Sequence, residues 1–167
     1  YYFKETLEAA RGGPIYSQRN QLVQISDSQK RWKKRGVGLA AAWMGVGYGH
    51  GVPDIAEVSV KLTEAGRYEL HVGGTDMGQG NATAHLQVAA HELNCAMEDI
   101  DLALGDSSGP DSGSTDAARA VTFVGKAAME AAKDLYQQIL AEVARELHCR
   151  PDDLSLEGNQ VGIKSSG

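Results

Sequence analysis

The chain has 167 residues, 42% of them hydrophobic, with 20 Gly, 4 Pro and 2 Cys, and its 16 basic and 22 acidic side chains give a net charge of −6. That length suits one domain with an adequate core, or one domain plus a short arm; the apolar content excludes a disordered chain, and the glycines have no collagen period. Cys95 and Cys149 are too few for a disulfide framework or a thiolate zinc site, and the longest uncharged stretch, Gly36 to Gly49, is too short and too rich in glycine to span a bilayer.

The sequence opens Tyr1-Tyr2-Phe3-Lys4-Glu5, with neither an initiator Met nor an apolar signal core. This start suggests a piece excised from a longer protein, and the unpaired cysteines suggest a reducing, cytoplasmic setting. Charge is unevenly spread: residues 1–36 carry a net +5 and residues 37–167 a net −11. The basic part peaks at Lys30-Arg31-Trp32-Lys33-Lys34-Arg35. A nucleic-acid grip there is not expected, because the rest of the chain would repel phosphate.

Residues 4–32 read as helix in two pieces, broken at Gly12-Gly13-Pro14, where glycines end one helix and proline opens the next. From Gly36 the texture turns apolar and Gly-rich. Val58, Val60 and Leu62 alternate with polar residues, as do Tyr68, Leu70 and Val72 after the turn Glu64-Ala65-Gly66, which predicts a β-hairpin with one buried face. The Gly-rich loop Gly73 to Gly80 leads into a helix from about Ala82 to Asn94 whose stripe is Leu86, Ala89, Ala90 and Leu93. Asp99 to Leu104 reads as a short strand.

A second polar loop, Gly105 to Ala117, empties into a long helix ending near His148, with Val121, Val124, Ala128, Ala131, Leu135 and Ile139 as its buried face. Pro151 stops that helix, and Leu154 to Lys164 resembles a closing hairpin around Gly158-Asn159. The expected class is α+β, a two-layer β-β-α-β-α-(β-β) domain with a mixed sheet over residues 36–167. A helical arm or linker over residues 1–35 precedes it.

Both polar loops come directly before helix N-termini, where unpaired N–H groups and the positive dipole end favour an anion. They suggest a phosphorylated ligand, although loops that merely turn and cap would look the same. Several other motifs carry less. Gly36-Val37-Gly38-Leu39-Ala40-Ala41 spells G-x-G-x-x-A, but no strand precedes it and no helical period follows. Gly105-Asp106-Ser107-Ser108-Gly109-Pro110 looks like a serine-protease nucleophile segment, in a chain too short for two β-barrels. His85 and His91 stand six apart, so a helix points them in different directions and they cannot share a metal.

Gly73 to Gly80 and Ser112 to Ala120 remain. Glycines there allow positive φ and a nest of N–H groups; the Gln79 amide suits the edge of a heterocycle, and Arg119 is expected to pair with phosphate bidentately.

Gly74-Thr75-Asp76-Met77-Gly78-Gln79-Gly80 resembles the G-T-[ED]-M-G-Q-G loop of the molybdenum hydroxylases, the group of xanthine dehydrogenase, aldehyde oxidoreductase and carbon monoxide dehydrogenase. Other segments fall in that family's order. Trp32-Lys33-Lys34-Arg35-Gly36-Val37-Gly38 is similar to its W-K-K-R-G segment, Gly105-Asp106 to its G-D-[ST], Ser112 to Arg119 to its S-x-x-T-G-S-R stretch, and Val124-Gly125-Lys126-Ala127 to its G-x-A helix turn. The resemblance covers about residues 4–150, and the ordered set is far more specific than any one motif.

The resemblance implies that Met77, Gly78, Gln79 and Gly80 lie against molybdopterin, as the mononucleotide or its cytosine dinucleotide. It also implies that Asp116, Ala117, Ala118, Arg119 and Ala120 wrap the cofactor's other side near molybdenum, which the pterin dithiolene ligates without protein ligands. The implied enzyme oxidises an aldehyde or N-heterocycle with water-derived oxygen and passes electrons to Fe-S and FAD centres on partner domains or subunits. The family's glutamate base belongs to a motif far C-terminal to this region, so no catalytic residue is expected here and the fragment alone is expected to be inactive. Asp116-Ala117-Ala118 departs from the Gly-Ser common in bacterial members. A non-catalytic domain for another phosphorylated ligand, or an interaction scaffold, are the alternatives.

Overall fold

The computed structural model describes residues 2–24, 32, 36–42 and 44–164, which fall into two compact units, 1–43 and 44–167. The first unit holds three short helices, α1 (Phe3–Gly12), α2 (Pro14–Ser17) and α3 (Arg19–Gln24). Gly13 leaves the helical conformation and Pro14, which has no N–H to satisfy, starts α2. Residues 36–42 form no helix, and Leu39 to Ala42 line one apolar groove with Tyr2, Phe3, Leu7 and Ala10. They therefore group with the arm, beyond the expected 35/36 boundary. Of the basic run, Lys30, Arg31, Lys33, Lys34 and Arg35 lie outside the described residues, while Trp32 is exposed.

In the second unit, alternation of branched and polar residues gives β1 (Val58–Leu62) and β2 (Tyr68–Val72), paired antiparallel with Val60 opposite Leu70. A crossover through α4 (Asn81–Leu93) brings β3 (Ile100–Leu104) parallel to β2, with Leu70 opposite Leu102 and Val72 opposite Leu104. The sheet order is β1-β2-β3. Because side chains alternate, Val58, Val60, Tyr68, Leu70, Val72, Ile100, Leu102 and Leu104 share one face. That face packs on Ala89, Ala90 and Leu93 of α4 and on Ala128 and Ala132 of the long helix α5 (Gly125–Leu147). Alanines where the helices meet let them approach closely. Leu70 and Leu93 are fully buried, each contributing roughly 1.5–3 kcal/mol.

The other sheet face is polar and carries the Lys61–Glu69 ion pair at 2.8 Å. A hairpin of β4 (Leu154–Glu157) and β5 (Gln160–Ile163) closes the unit, with Leu154 and Leu156 buried against Leu140 and Ala144. Asn94, left-handed at φ 52°, ends α4, and its side chain donates to the Leu156 carbonyl at 2.8 Å.

Two expectations need correction. A π-helical segment, Ala120–Val124, stands between the second loop and α5, so the helix loses its expected phase at the start and Val121 is 53% exposed, not buried. Ala131 is half-buried, and Ala132 takes the deep position. Among the described residues no helix is long and apolar enough to cross a membrane.

Candidate functional site

β2 and β3 run parallel and end level with each other, so the loops that follow them emerge at the same edge of the sheet. In open α/β arrangements this carboxyl end is where ligands bind. Gly105 N–H donates to the Val72 carbonyl at 2.8 Å, fastening the two loop origins. Two hydroxyls then join the loops: Gly73 N–H donates to Ser112 Oγ at 2.8 Å and Thr75 N–H to Thr115 Oγ1 at 2.9 Å. Ser112 Oγ passes the contact on to the Glu57 carbonyl at 2.6 Å. Gly73 has to be glycine, since a Cβ there would sit 2.5 Å from the Pro110 carbonyl oxygen.

The first loop closes on itself through Asp76. Its Oδ1 accepts from Gly78 N–H at 2.9 Å and Gly80 N–H at 3.2 Å, and Oδ2 accepts from Ala82 N–H at 2.9 Å. The donors at Ala82, Gly78 and Gly80 hold this carboxyl below its usual range. The anion nest expected of this loop is therefore filled by the chain's own carboxylate, which caps α4. Gly78 and Gly80, at φ 100° and 89°, shape the turn and do not line the cleft described below. The Gln79 amide lies back on the loop, with Oε1 accepting from Met77 N–H and Nε2 donating to the Thr75 carbonyl at 3.2 Å. Each end of that amide keeps further hydrogen-bonding capacity.

The second loop rests on Arg119, whose guanidinium is fully buried. Nε donates to Asp54 Oδ1 at 2.7 Å, Nη1 to the Ser112 and Ser114 carbonyls at 2.6 and 2.9 Å, and Nη2 to the Ile55 carbonyl at 2.7 Å. Nη2 also lies 2.7 Å from Asp54 Oδ1. With its fork spent on one carboxylate and three carbonyls, Arg119 is not available to a phosphate, and the bidentate clamp expected from the sequence is overturned. Its five donors instead tie residues 54–55 to residues 112–114 beneath the loop. Gly113, at φ 71°, makes room: a Cβ there would lie 2.7 Å from Nη1.

Above this staple, Ala117 and Ala118 are both left-handed, at φ 43° and 54°. Each such residue with a side chain costs about 1–2 kcal/mol, and strain of this kind gathers at ligand clamps. Gly47 N–H to the Ala117 carbonyl, at 2.8 Å, and Thr122 Oγ1 to the Ala118 carbonyl, at 3.1 Å, hold the turn. Among the described residues, the Ala117 and Ala118 N–H groups meet no acceptor.

Between the loops lies a cleft of about 630 Å³. Met77, Gln79 and Asn81 form one wall, and Thr115, Asp116, Ala117 and Ala118 the other, with Ala120 to Thr122 and Met44 completing it. Met44, Met77 and Val121 stand 71%, 75% and 53% exposed, large apolar surfaces left open at the cleft. Of the nine residues expected from the sequence, Met77, Gln79, Asp116, Ala117, Ala118 and Ala120 meet here; Gly78, Gly80 and Arg119 support them.

Sequence reasoning left out Asp54, the partner of Arg119, and Met44 and Asn81, which line the cleft. No motif marked them, although the Asn81 position at the start of α4 was a usable signal. One turn below Asn81, His85 is buried with Nδ1 unpartnered, and burial pushes its imidazole down. Among the described residues, no three His, Cys, Asp or Glu side chains converge as a metal site.

The chain is 33% identical over 122 residues to a probable xanthine dehydrogenase subunit of Bacillus subtilis, covering 72% of this chain and 16% of that one. It is 30% identical over 167 residues to the gamma subunit of the 6-hydroxypseudooxynicotine dehydrogenase complex of Paenarthrobacter nicotinovorans, covering 99% and 20%. The chain thus spans a fifth or less of these relatives. The fold is shared with the CO dehydrogenase of Oligotropha carboxidovorans, with a TM-score of 0.61, 23% identity and coverage of 69% of this chain and 14% of that one. Quinoline 2-oxidoreductase of Pseudomonas putida 86 gives 0.56, 20%, 64% and 14%. The sequence pattern of the molybdopterin cofactor-binding domain matches residues 12–167, and the chain belongs to that family, the cofactor-binding part of molybdenum hydroxylases of the xanthine dehydrogenase type.

Proposed function

We propose that this chain cradles molybdopterin, as mononucleotide or cytosine dinucleotide, in the cleft between its two loops. It would do so within a larger cytoplasmic oxidoreductase that hydroxylates an aldehyde or N-heterocycle with water-derived oxygen. Fe-S and FAD partner domains or subunits would take the electrons. The observation that carries this reading is that two loops far apart in sequence line one cleft of about 630 Å³, within the range of cofactor pockets. Its donor set suits the ligand: the amides of Gln79 and Asn81 for heterocycle edges, and the N–H groups of Ala117 and Ala118, unpaired among the described residues, for an anionic oxygen.

When bound, the cofactor supplies the metal and the redox chemistry. This chain's residues orient and enclose it. Gln79 would meet the ligand with the hydrogen-bonding capacity its amide keeps beyond Thr75 and Met77, Met77 and Val121 would cover apolar surface and exclude water, and Arg119 would keep the Ala117-Ala118 turn in place. No residue of this chain is assigned a proton transfer in this reading.

The test is molybdenum content, with pterin fluorescence after denaturation, on the full-length protein purified with its partners. The Gln79→Ala variant is expected to lose roughly tenfold in cofactor affinity, the upper value of one neutral hydrogen bond, with both signals falling together. Native protein containing neither molybdenum nor pterin would end this reading and leave a different phosphorylated ligand or a scaffold.

A further inference from the structure

We infer that Asp116 is a specificity-determining residue that receives a cation or a polarised N–H donor in the cleft. The inference rests on the proposed function and deepens it.

Three other loop aspartates show what this residue type does here by default. Asp76 accepts from Gly78, Gly80 and Ala82, Asp106 from Ser108 N–H at 2.9 Å, and Asp111 from Gly113 N–H at 2.8 Å. Each carboxylate turns back onto its own loop. Asp116 also precedes a helix, but only its backbone takes part: its carbonyl accepts from Arg119 N–H at 2.9 Å. Its side chain has no hydrogen-bond or ion-pair partner among the described residues.

The reason lies in the backbone that follows. The left-handed pair Ala117-Ala118 carries the chain away from the turn that the other three aspartates use. Asp116 is left exposed and lining the cleft. Among the described residues that line it, Asp116 is the one charged side chain; the others are apolar or carry neutral amides and hydroxyls. The Arg119 guanidinium, three residues further on, is buried and spent on Asp54.

A lone carboxylate in a largely apolar cleft discriminates by charge. It forms charge-assisted hydrogen bonds with an ammonium, amidinium or heterocyclic N–H, and it repels a carboxylate at the same place. The donor has two sources: an amine or ring N–H on the substrate, or the amino-substituted edge of the cofactor.

The experiment uses the full-length protein with its partners and three probes of one shape: 3-(aminomethyl)pyridine, 3-methylpyridine and nicotinate. Calorimetry at neutral pH is expected to show the aminomethyl probe bound about tenfold more tightly than the methyl one, with nicotinate the weakest. Asp116→Asn is expected to bring the first two within about twofold, and Asp116→Glu to keep the preference. Unchanged molybdenum and pterin content in Asp116→Asn then places the donor on the substrate. If that content falls while the probes are not discriminated by the native protein, the donor is on the cofactor. Native protein that does not prefer the amine, together with an Asp116→Asn variant of full cofactor content, overturns the inference. Native protein that prefers the amine but lacks molybdenum and pterin refutes the proposed function and leaves the charge preference of Asp116 standing.

Discussion

The two loops that form the cleft solve the same problem in opposite ways. Each ends a parallel strand and opens a helix, and each must deal with the unpaired N–H groups there. The first, Gly73 to Gly80, satisfies itself: Asp76 collects three N–H groups and Gln79 folds back on Met77 and Thr75. The second, Ser112 to Arg119, is held from below by a buried guanidinium and, among the described residues, leaves its upper surface unpaired, with two strained alanines and a carboxylate that has no partner. A self-capped loop supplies shape, whereas a loop stapled from beneath can present donors and charge to a ligand without losing its conformation. This division explains why the two motifs differ so much in residue type while serving one cleft.

The sharpest way to break the contrast is to remove the staple. Arg119→Met leaves Asp54 buried without its cation, and opening of the second loop should become easier by about 3–5 kcal/mol. Hydrogen exchange at the Gly47 amide, which donates to the Ala117 carbonyl, reads this locally even in a large protein, while exchange in the first loop should change far less. Arg119→Lys should recover only part of the loss, because an ammonium has three donors and no planar fork.

A smaller effect is expected at the first loop, and it has a pH signature. The Asp76 carboxyl is held below its ordinary value of 3.8 by the N–H groups of Ala82, Gly78 and Gly80. A depressed carboxyl adds stability above that ordinary value, and the gain is lost as pH falls through the lower folded one. Asp76→Asn should therefore loosen α4 near neutral pH and blunt the loss of stability below pH 3.8. Beneath the loop, burial also depresses His85 from its ordinary 6.5, so the unfolded chain takes up the proton first and stability falls as pH drops from about 6.5 toward the folded value. His85→Leu should flatten the thermal-melting profile in that window and leave unchanged the lower limb, to which the depressed carboxyls of Asp76, Glu69, Asp101 and Asp106 contribute.

The smallest effect separates strain from contact. At φ 54°, Ala118→Gly relieves about 1–2 kcal/mol of backbone strain and gives back much of it as chain entropy, so melting should move by less than about 0.5 kcal/mol. Ala118→Val, β-branched at positive φ, should cost about 1–2 kcal/mol more than alanine. Equal tolerance of glycine and valine would show that the turn is not left-handed.

Much of the fold could be read in advance because it follows from local periodicity. Alternation at Val58 to Leu62 and Tyr68 to Val72 marked two strands, and the i, i+3, i+4, i+7 stripe marked α4. The start of the long helix was misread because a π-helical turn inserts a residue that no local pattern signals, which swung Val121 outward. At the site, the Gln79 and Ala117-Ala118 segments were found as motifs, but the role of Arg119 was inverted. An arginine at a helix start looks the same in sequence whether it faces an anion or lies buried on an aspartate 65 residues earlier.

The sequence by itself determined the strands, the helices, the two Gly-rich and polar loops and the family, since these rest on residue type and spacing along the chain. Tertiary structure decided which polar groups are spent internally and which remain for a ligand. Parallel pairing of β2 and β3 brought the loops to one edge, Asp54 captured Arg119, and Asp76 filled the nest that was expected to hold a phosphate. Those outcomes depend on partners distant in the chain or on the angle of a turn. A carboxylate or guanidinium has one set of bonds to give, and only the folded geometry settles who receives them.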